Sequence, residues 1–458
     1  MCIHGAVLLV WVLLFMAALG AGGVLAWSVG LAYVLYDTVL LVFTFQATWR
    51  LTRPATLWLP DSPGGHAEFQ RLGVIVAAHN EASVLPVTLA ALFAQTEPAA
   101  QIVVADDGST DATATLLQER YGLAVPELGA LSSASATHPG LHWLRLPHGG
   151  KARALNAAIV GMDVELVLTV DADTLLEPAA LSALRGAFQA DRRLVAATGV
   201  LSPVCGPGIS GRLLQWFQTY EYIRNFLSRY AWMRADGLLL ISGAFAGFQR
   251  AALLQVGGFD PDCLVEDYEL IHRLRRFGAL HGLGWTTEVI GGARGRTEAP
   301  STLLAFVRQR RRWFGGFLQT QYWYRDMVGN ARFGAVGTRM LPVKAIDTLQ
   351  PLYGLAALLI LLVNLYLGRL PVIIPVAGVI GAKILIDFAF HCWSVHVYRR
   401  WVGDVTSASF AYALLAALAE PFSFQILRHT SAALGWGVFL TGNMRWGRQH
   451  RVGLISRD

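Results

Sequence analysis

RLGVIVAAHNE (71–81), QIVVADDGSTD (101–111) and LVLTVDAD (166–173) share one pattern: a short run of Val, Ile, Leu and Ala that stops at polar and acidic residues. Unbroken apolar runs of this length, separated by helix-like stretches and by Gly, Pro, Asp and Ser, are what strands buried on both faces of a parallel sheet look like. LVAATGV (194–200) is a fourth such run. The reading is an α/β, Rossmann-like domain, and open sheets of this class bind ligands beyond the carboxyl ends of their strands. Residues 122–141, rich in Ala, Ser, Gly and Pro, are expected to form a surface loop.

Outward from this domain the texture becomes apolar. The chain has 458 residues, 54% hydrophobic and 15% charged, with a mean hydropathy of +0.45, which excludes an ordinary cytosolic protein. Residues 5–36 carry no charged side chain, and the apolar character runs on past Asp37 to about Gln46. A hydrocarbon core needs roughly 20 helical residues, so two spans are expected near 6–26 and 29–48. A cleavable signal peptide fits poorly, since the run is too long and lacks a basic start. Further spans are expected at 349–367, 370–391 and 406–427, with the shorter apolar stretch 430–443 re-entrant or interfacial. Arg50, Arg53, Arg399, Arg400 and the cluster Arg445–Arg451 favour the cytoplasm, which puts the central domain on the cytoplasmic face of a bacterial inner membrane. The expected organisation is two N-terminal spans (1–50), the α/β domain (51–300), interfacial helices (301–345), and about three spans with a basic tail (346–458). A net charge of +6 is too small to suggest a nucleic-acid partner. The four cysteines form no CxxC pair, so neither a disulfide framework nor a cysteine zinc site is supported.

The strand ends carry the candidate chemistry. His79-Asn80-Glu81 and Asp106-Asp107-Gly108-Ser109-Thr110-Asp111 sit where a nucleotide would bind, although DDGSTD could equally turn the chain and cap a helix. Asp171-Ala172-Asp173 offers two carboxylates on one side of an extended chain, able to grip one divalent cation. A departing diphosphate needs such help, and Mg²⁺ or Mn²⁺ would supply it. Lys151, in HGGKARALN, offers a second cation beside glycines that let backbone come close, or is simply an exposed lysine. In GGFDPDCLVEDYEL, Glu266 and Asp267 could include a general base for an acceptor hydroxyl, or favour a helix N-terminus. Gln309-Arg310-Arg311-Arg312-Trp313 lies in an amphipathic stretch, 302–325. It reads either as an interfacial helix or, for Arg312 and Trp313, as a pyrophosphate partner and a platform for a sugar ring. Asp37, Lys383 and Asp387, within expected spans, are either polar linings or a charge cluster buried between helices.

In order and spacing, HNE, DDGSTD, GGKARALN, DAD, SGAF, VED and QRRRW resemble the membrane-embedded family 2 glycosyltransferases, the group of cellulose, hyaluronan, chitin-oligosaccharide and poly-N-acetylglucosamine synthases. The resemblance covers nearly the whole chain and implies a GT-A-like cytoplasmic domain inserted between transmembrane helices. It implies donor contacts from His79, Asn80, Glu81, Asp106, Asp107, Lys151, Asp171, Gln309 and Arg312, with Asp107 recognising uracil, and a metal on Asp171 and Asp173. It implies Asp267 as the catalytic base with Glu266 in support, and acceptor contacts from Ser242, Gly243 and Trp313. Ala77 and His79 stand where the family usually has proline and tyrosine, and Val265 where it commonly has threonine.

The implied activity is inverting, metal-dependent transfer from a UDP-sugar to a growing glycan, building a β-linked polysaccharide and guiding it outward. The rivals are single-sugar transfer to a lipid acceptor and a non-enzymatic transporter or scaffold. Neither the sugar nor any accessory subunit can be read from the chain.

Overall fold

In the computed structural model, whose described residues are 2–52, 70–403 and 408–442, all four apolar runs are strands. Arg53 and the cluster 445–451 lie outside the described residues. The chain divides into two compact units: a sheet unit of 70–215 and 238–301, and a helical unit of 2–52, 216–237 and the described residues from 302 onward. The stretch 216–237, which the sequence leaves inside the middle domain, thus belongs with the helices.

The sheet unit holds eight strands: β1 Leu72–Ala78, β2 Gln101–Asp107, β3 Leu141–Leu146, β4 Leu166–Asp171, β5 Thr174–Leu176, β6 Leu194–Val204, β7 Phe245–Gln249 and β8 Thr286–Glu298. Their order is β3-β2-β1-β4-β7-β6-β8-β5. β3, β2, β1 and β4 are parallel neighbours, each return being made by a crossing connection. The sheet is mixed rather than parallel throughout, because β7 runs antiparallel to β4 and β6, and β5 antiparallel to β8. The core is the apolar runs themselves: Val74, Ile75, Val76, Val103, Val104, Val167 and Leu168 are wholly buried. Register aligns the strand ends, Ala77 standing opposite Asp171 on one side and Ala78 opposite Asp106 on the other. The polar ends of three strands therefore share one edge.

In the helical unit, four helices are long and apolar enough to cross a membrane: Ile3–Gly20, Gly23–Thr52, Val336–Tyr366 and Leu370–Val402. A fifth candidate is a pair, Phe410–Phe422 and Phe424–Thr441, bent by 52°. The single span expected at 406–427 is thus interrupted, and 430–441 belongs to the second arm. The break has a local cause: Pro421 brings no N–H to continue the helix, and Ser423 leaves helical geometry at φ −143°, ψ −83°. Asp37 and Asp387 both bind Lys383, the former at 2.8 Å, so the three charges form one cluster between helices.

Candidate active site

Four consecutive residues, His148–Lys151, organise the sheet edge. Asp107, buried at the end of β2, accepts the backbone N–H of Gly149 at 2.7 Å and of Gly150 at 2.9 Å, and its carboxylate lies 2.9 Å from His148 Nδ1. Gly150 has φ +94°, a conformation that favours glycine and turns the chain into the helix Lys151–Gly161. The next residue, Lys151, reaches the other acids: Nζ lies 2.5 Å from Asp171 Oδ1 and 3.8 Å from Glu266 Oε1. Burial alone would lower its pKa, but the charges of Asp171, Glu266 and Asp267 outweigh that and hold it above the ordinary lysine value. One short turn thus joins the Asp107 cluster to the Asp171–Glu266 cluster.

Asp267 occupies the first turn of the helix Glu266–Leu280. Its Oδ2 accepts the N–H of Gly243 at 2.8 Å and its Oδ1 that of Tyr268 at 2.8 Å. A carboxylate oxygen has two lone pairs, so each oxygen keeps one for a ligand. Gly243 is a glycine by necessity: a Cβ there would lie 2.9 Å from both Asp267 Cβ and Oδ2. Ser242, beside it, closes a tight turn through its carbonyl, which accepts Phe245 N–H at 3.0 Å.

The loop carrying Glu266 and Asp267 is held by a residue that motif reading passed over. Asn156 donates Nδ2–H to Phe259 O at 2.8 Å, and its Oδ1 accepts Phe259 N–H at 2.7 Å. It packs so closely on Gly258 (φ +72°) that a Cβ would stand 2.3 Å from Asn156 Oδ1. The signal was present, since Asn156 is the last letter of GGKARALN.

Other expected residues are placed differently. Asp106 faces inward: its carboxylate accepts Ser109 N–H at 2.9 Å and Trp143 Nε1–H at 3.3 Å. Asn80, at φ +60°, uses Oδ1 to accept Thr110 N–H at 2.7 Å and Asp111 N–H at 3.2 Å, so it clasps the DDGSTD turn. Glu81 sits where the chain enters the helix Leu85–Phe93, and its carbonyl accepts the N–H of Val84 and Leu85. His79 lies against His148, the rings stacked 4.3 Å apart.

Asp171 and Asp173 do not share a straight strand, because residues 172 and 173 form a turn between β4 and β5. Asp171 is partly exposed and Asp173 buried. Lys151 takes Asp171 Oδ1, and among the described residues no hydrogen bond reaches Oδ2. Carboxylate oxygens are the hard donors that Mg²⁺ and Mn²⁺ prefer, so the residue types suit such an ion.

Gln309, Arg312 and Trp313 lie in the helical unit, on the helix Leu303–Trp323, capped by Thr302 Oγ1 accepting Ala305 N–H at 3.3 Å. Arg310 pairs with buried Glu221 at 2.6 Å and stacks 4.5 Å over Trp313. Gln309 Oε1 is buried with no hydrogen-bond partner among the described residues, which is the sort of atom a bound group would satisfy.

Comparison with known proteins bears on the family and the fold. The family model described as glycosyl transferase family group 2 matches residues 166–424, and that of glycosyl transferase family 2 matches 73–257. A poly-beta-1,6-N-acetyl-D-glucosamine synthase from Staphylococcus epidermidis is 27% identical over 219 residues, covering 46% of this chain and 47% of its own. The synthase of the same name from Staphylococcus aureus (strain COL) is 26% identical over 288 residues, 62% of each chain. The chain thus spans about half the length of the curated relatives it matches. A solved mannosyltransferase from Pyrobaculum calidifontis, in complex with GDP-Man and Mn²⁺, superposes with a TM-score of 0.54 at 22% identity, over 86% of this chain and 99% of its own. The mixed sheet is therefore a GT-A fold, and the chain, matched over more than half its length, belongs to glycosyl transferase family group 2.

Proposed function

We propose that this glycosyltransferase takes a sugar from UDP and adds it, with inversion, to the end of a growing β-linked polysaccharide at the cytoplasmic face of a bacterial inner membrane. The observation that carries the reading is the gathering of Lys151, Asp171, Glu266 and Asp267 at the edge where three strands end. Asp107 would recognise the uracil, with Asn80 and the DDGSTD turn shaping its surroundings. Lys151 would neutralise part of the diphosphate. Asp171 and Asp173 would hold Mg²⁺ or Mn²⁺, which when bound offsets the charge growing on the departing diphosphate. Asp267, fixed by Gly243 N–H, would accept the proton of the acceptor hydroxyl as its oxygen attacks the anomeric carbon. Glu266 would keep Lys151 in register. The family resemblance assigns Gln309, Arg312 and Trp313 roles toward the diphosphate and the acceptor. The apolar helices would anchor the enzyme and conduct the product outward.

Three kinds of observation support this: the sheet-edge chemistry, the membership of the family, and relatives named as polysaccharide synthases. Those relatives make UDP-N-acetylglucosamine the first donor to test. Purified protein is incubated with a panel of labelled UDP-sugars, with and without Mn²⁺, and UDP release and product size are measured. Metal-stimulated UDP release with label in material of high molecular weight is expected. Label confined to a single-sugar glycolipid would overturn the polymerase reading, and a lack of release with any donor would overturn the UDP-sugar reading.

A further inference from the structure

The geometry points to a second cation site, distinct in chemistry from the Asp171–Asp173 pair: a Zn²⁺-class ion held by His79, Asp107 and His148. Each of these residues offers one ligand atom, and the three atoms lie within 4.8 Å of one another. Both imidazoles are aimed at the same residue. His148 Nδ1 stands 2.9 Å from Asp107 Oδ2 and 3.1 Å from Asp107 O, and His79 Nδ1 stands 2.8 Å from Asp107 O. Oxygens of that kind only accept, so both Nδ1 atoms carry a proton when the site is empty. Hydrogens therefore stand where an ion would. Ligands at about 2.0–2.2 Å in tetrahedral array are roughly 3.3 Å apart, so His148 and Asp107, 2.9 Å apart in the empty site, move slightly apart to share a metal. The ligand atom of His79 lies within 4.8 Å of the other two, so its ring swings from the Asp107 carbonyl toward the ion. His148, whose side chain is 64% exposed, is free to follow.

The rest of the surroundings fits a metal site. Asp107 is fixed by two backbone N–H groups, which removes the need to order it on binding. In the empty site the outer nitrogen of His79, Nε2, accepts Asn80 Nδ2–H at 3.2 Å; ligation through Nδ1 moves the ring proton to Nε2, so the ring turns away from that donor on binding. Two imidazoles with one carboxylate select Zn²⁺, Co²⁺ or Ni²⁺ over Mg²⁺ and Mn²⁺, whereas the all-carboxylate pair does the reverse. The ion would also occupy the carboxylate proposed to recognise the donor base, so it would act as an inhibitor. That consequence alone rests on the function proposed above.

The test is direct binding of Co²⁺ and Zn²⁺ to the untagged full-length protein in detergent, by visible absorption and by calorimetry, with Mn²⁺ present to fill the carboxylate pair. One equivalent with a tetrahedral Co²⁺ spectrum is expected, weakened about 100-fold or more in His148→Ala and unchanged in Asp173→Asn. His148 is exposed, so its loss leaves the fold intact, and a matching unfolding temperature checks this. Equal affinity in His148→Ala, or loss only in Asp173→Asn, would overturn the site. Zn²⁺ that binds through His148 yet leaves the donor KM unchanged would uphold the site and contradict the donor role of Asp107.

Discussion

The sheet edge and the helical unit both gather charged side chains, and they hold them in opposite ways. In the helical unit charge is answered by charge. Arg224 binds Glu420 through both nitrogens at 2.7 Å, Arg428 bridges Glu420 and Glu221, and Glu221 binds Arg310. At the sheet edge the acids are held largely by backbone N–H groups and a single lysine, which position a carboxylate while leaving it lone pairs. The first arrangement gives each buried acid a guanidinium partner and suits a structural role in low dielectric, where an unpaired ion is costly. The second leaves capacity for a ligand. Location alone does not separate site from scaffold; the kind of partner does.

The contrast can be broken in four places. Asp267→Asn should lower transfer by about 10²–10⁴-fold, the range for loss of a general base, with the unfolding transition in detergent unmoved. Glu420→Gln should do the reverse. Removing the shared partner of Arg224 and Arg428 should cost about 3–5 kcal/mol of stability, read by thermal unfolding, with turnover per folded molecule retained. Gly243→Ala should displace Asp267 and cost up to about 100-fold in kcat, as misplacement of about an ångström does, with donor affinity kept. An alanine variant with wild-type kcat would show that Asp267 needs no such close contact.

The smallest expected effect is one of pH. The Lys151 pKa is raised, so its ion pairs are complete below the ordinary lysine value of about 10.5 and are lost only as pH rises through the higher folded value. The ratio of wild-type to Lys151→Met activity should therefore be the same at pH 7 and pH 9.5. A ratio that collapses toward the higher pH would mean that Lys151 is already losing its charge there.

Much of this was legible in the chain, because buried parallel strands announce themselves as apolar runs and their ends carry the chemistry. β1, β2, β4 and the start of β6 lie where the runs lie. β3 and β7 were not legible: LHWLRL mixes His and Arg into its apolar residues with neither an unbroken run nor a strict alternation, and FAGFQ is short and broken by glycine. The loop expected at 122–141 ends where β3 begins. At the site, Asp267 and Lys151 stand out by type and spacing. His148 and Asn156 stand inside HGGKARALN, but their parts depend on residues 41 and 103 positions away, which no motif reveals. Nor can a motif tell Asp106, whose carboxylate closes its own turn, from its neighbour Asp107. The bend at residues 420–423 was hidden by apolar flanks, although Glu420 and Pro421 marked the place.

The central claim is that Lys151 and Asp267 serve one reaction centre, and a double-mutant cycle on donor turnover tests it most directly. Label transferred from the UDP-sugar is measured for wild type, Lys151→Met, Asp267→Asn and the double variant. The account predicts that the double variant is no worse than the poorer single by more than a few fold. Losses that multiply in full would contradict it, because the two residues would then act independently.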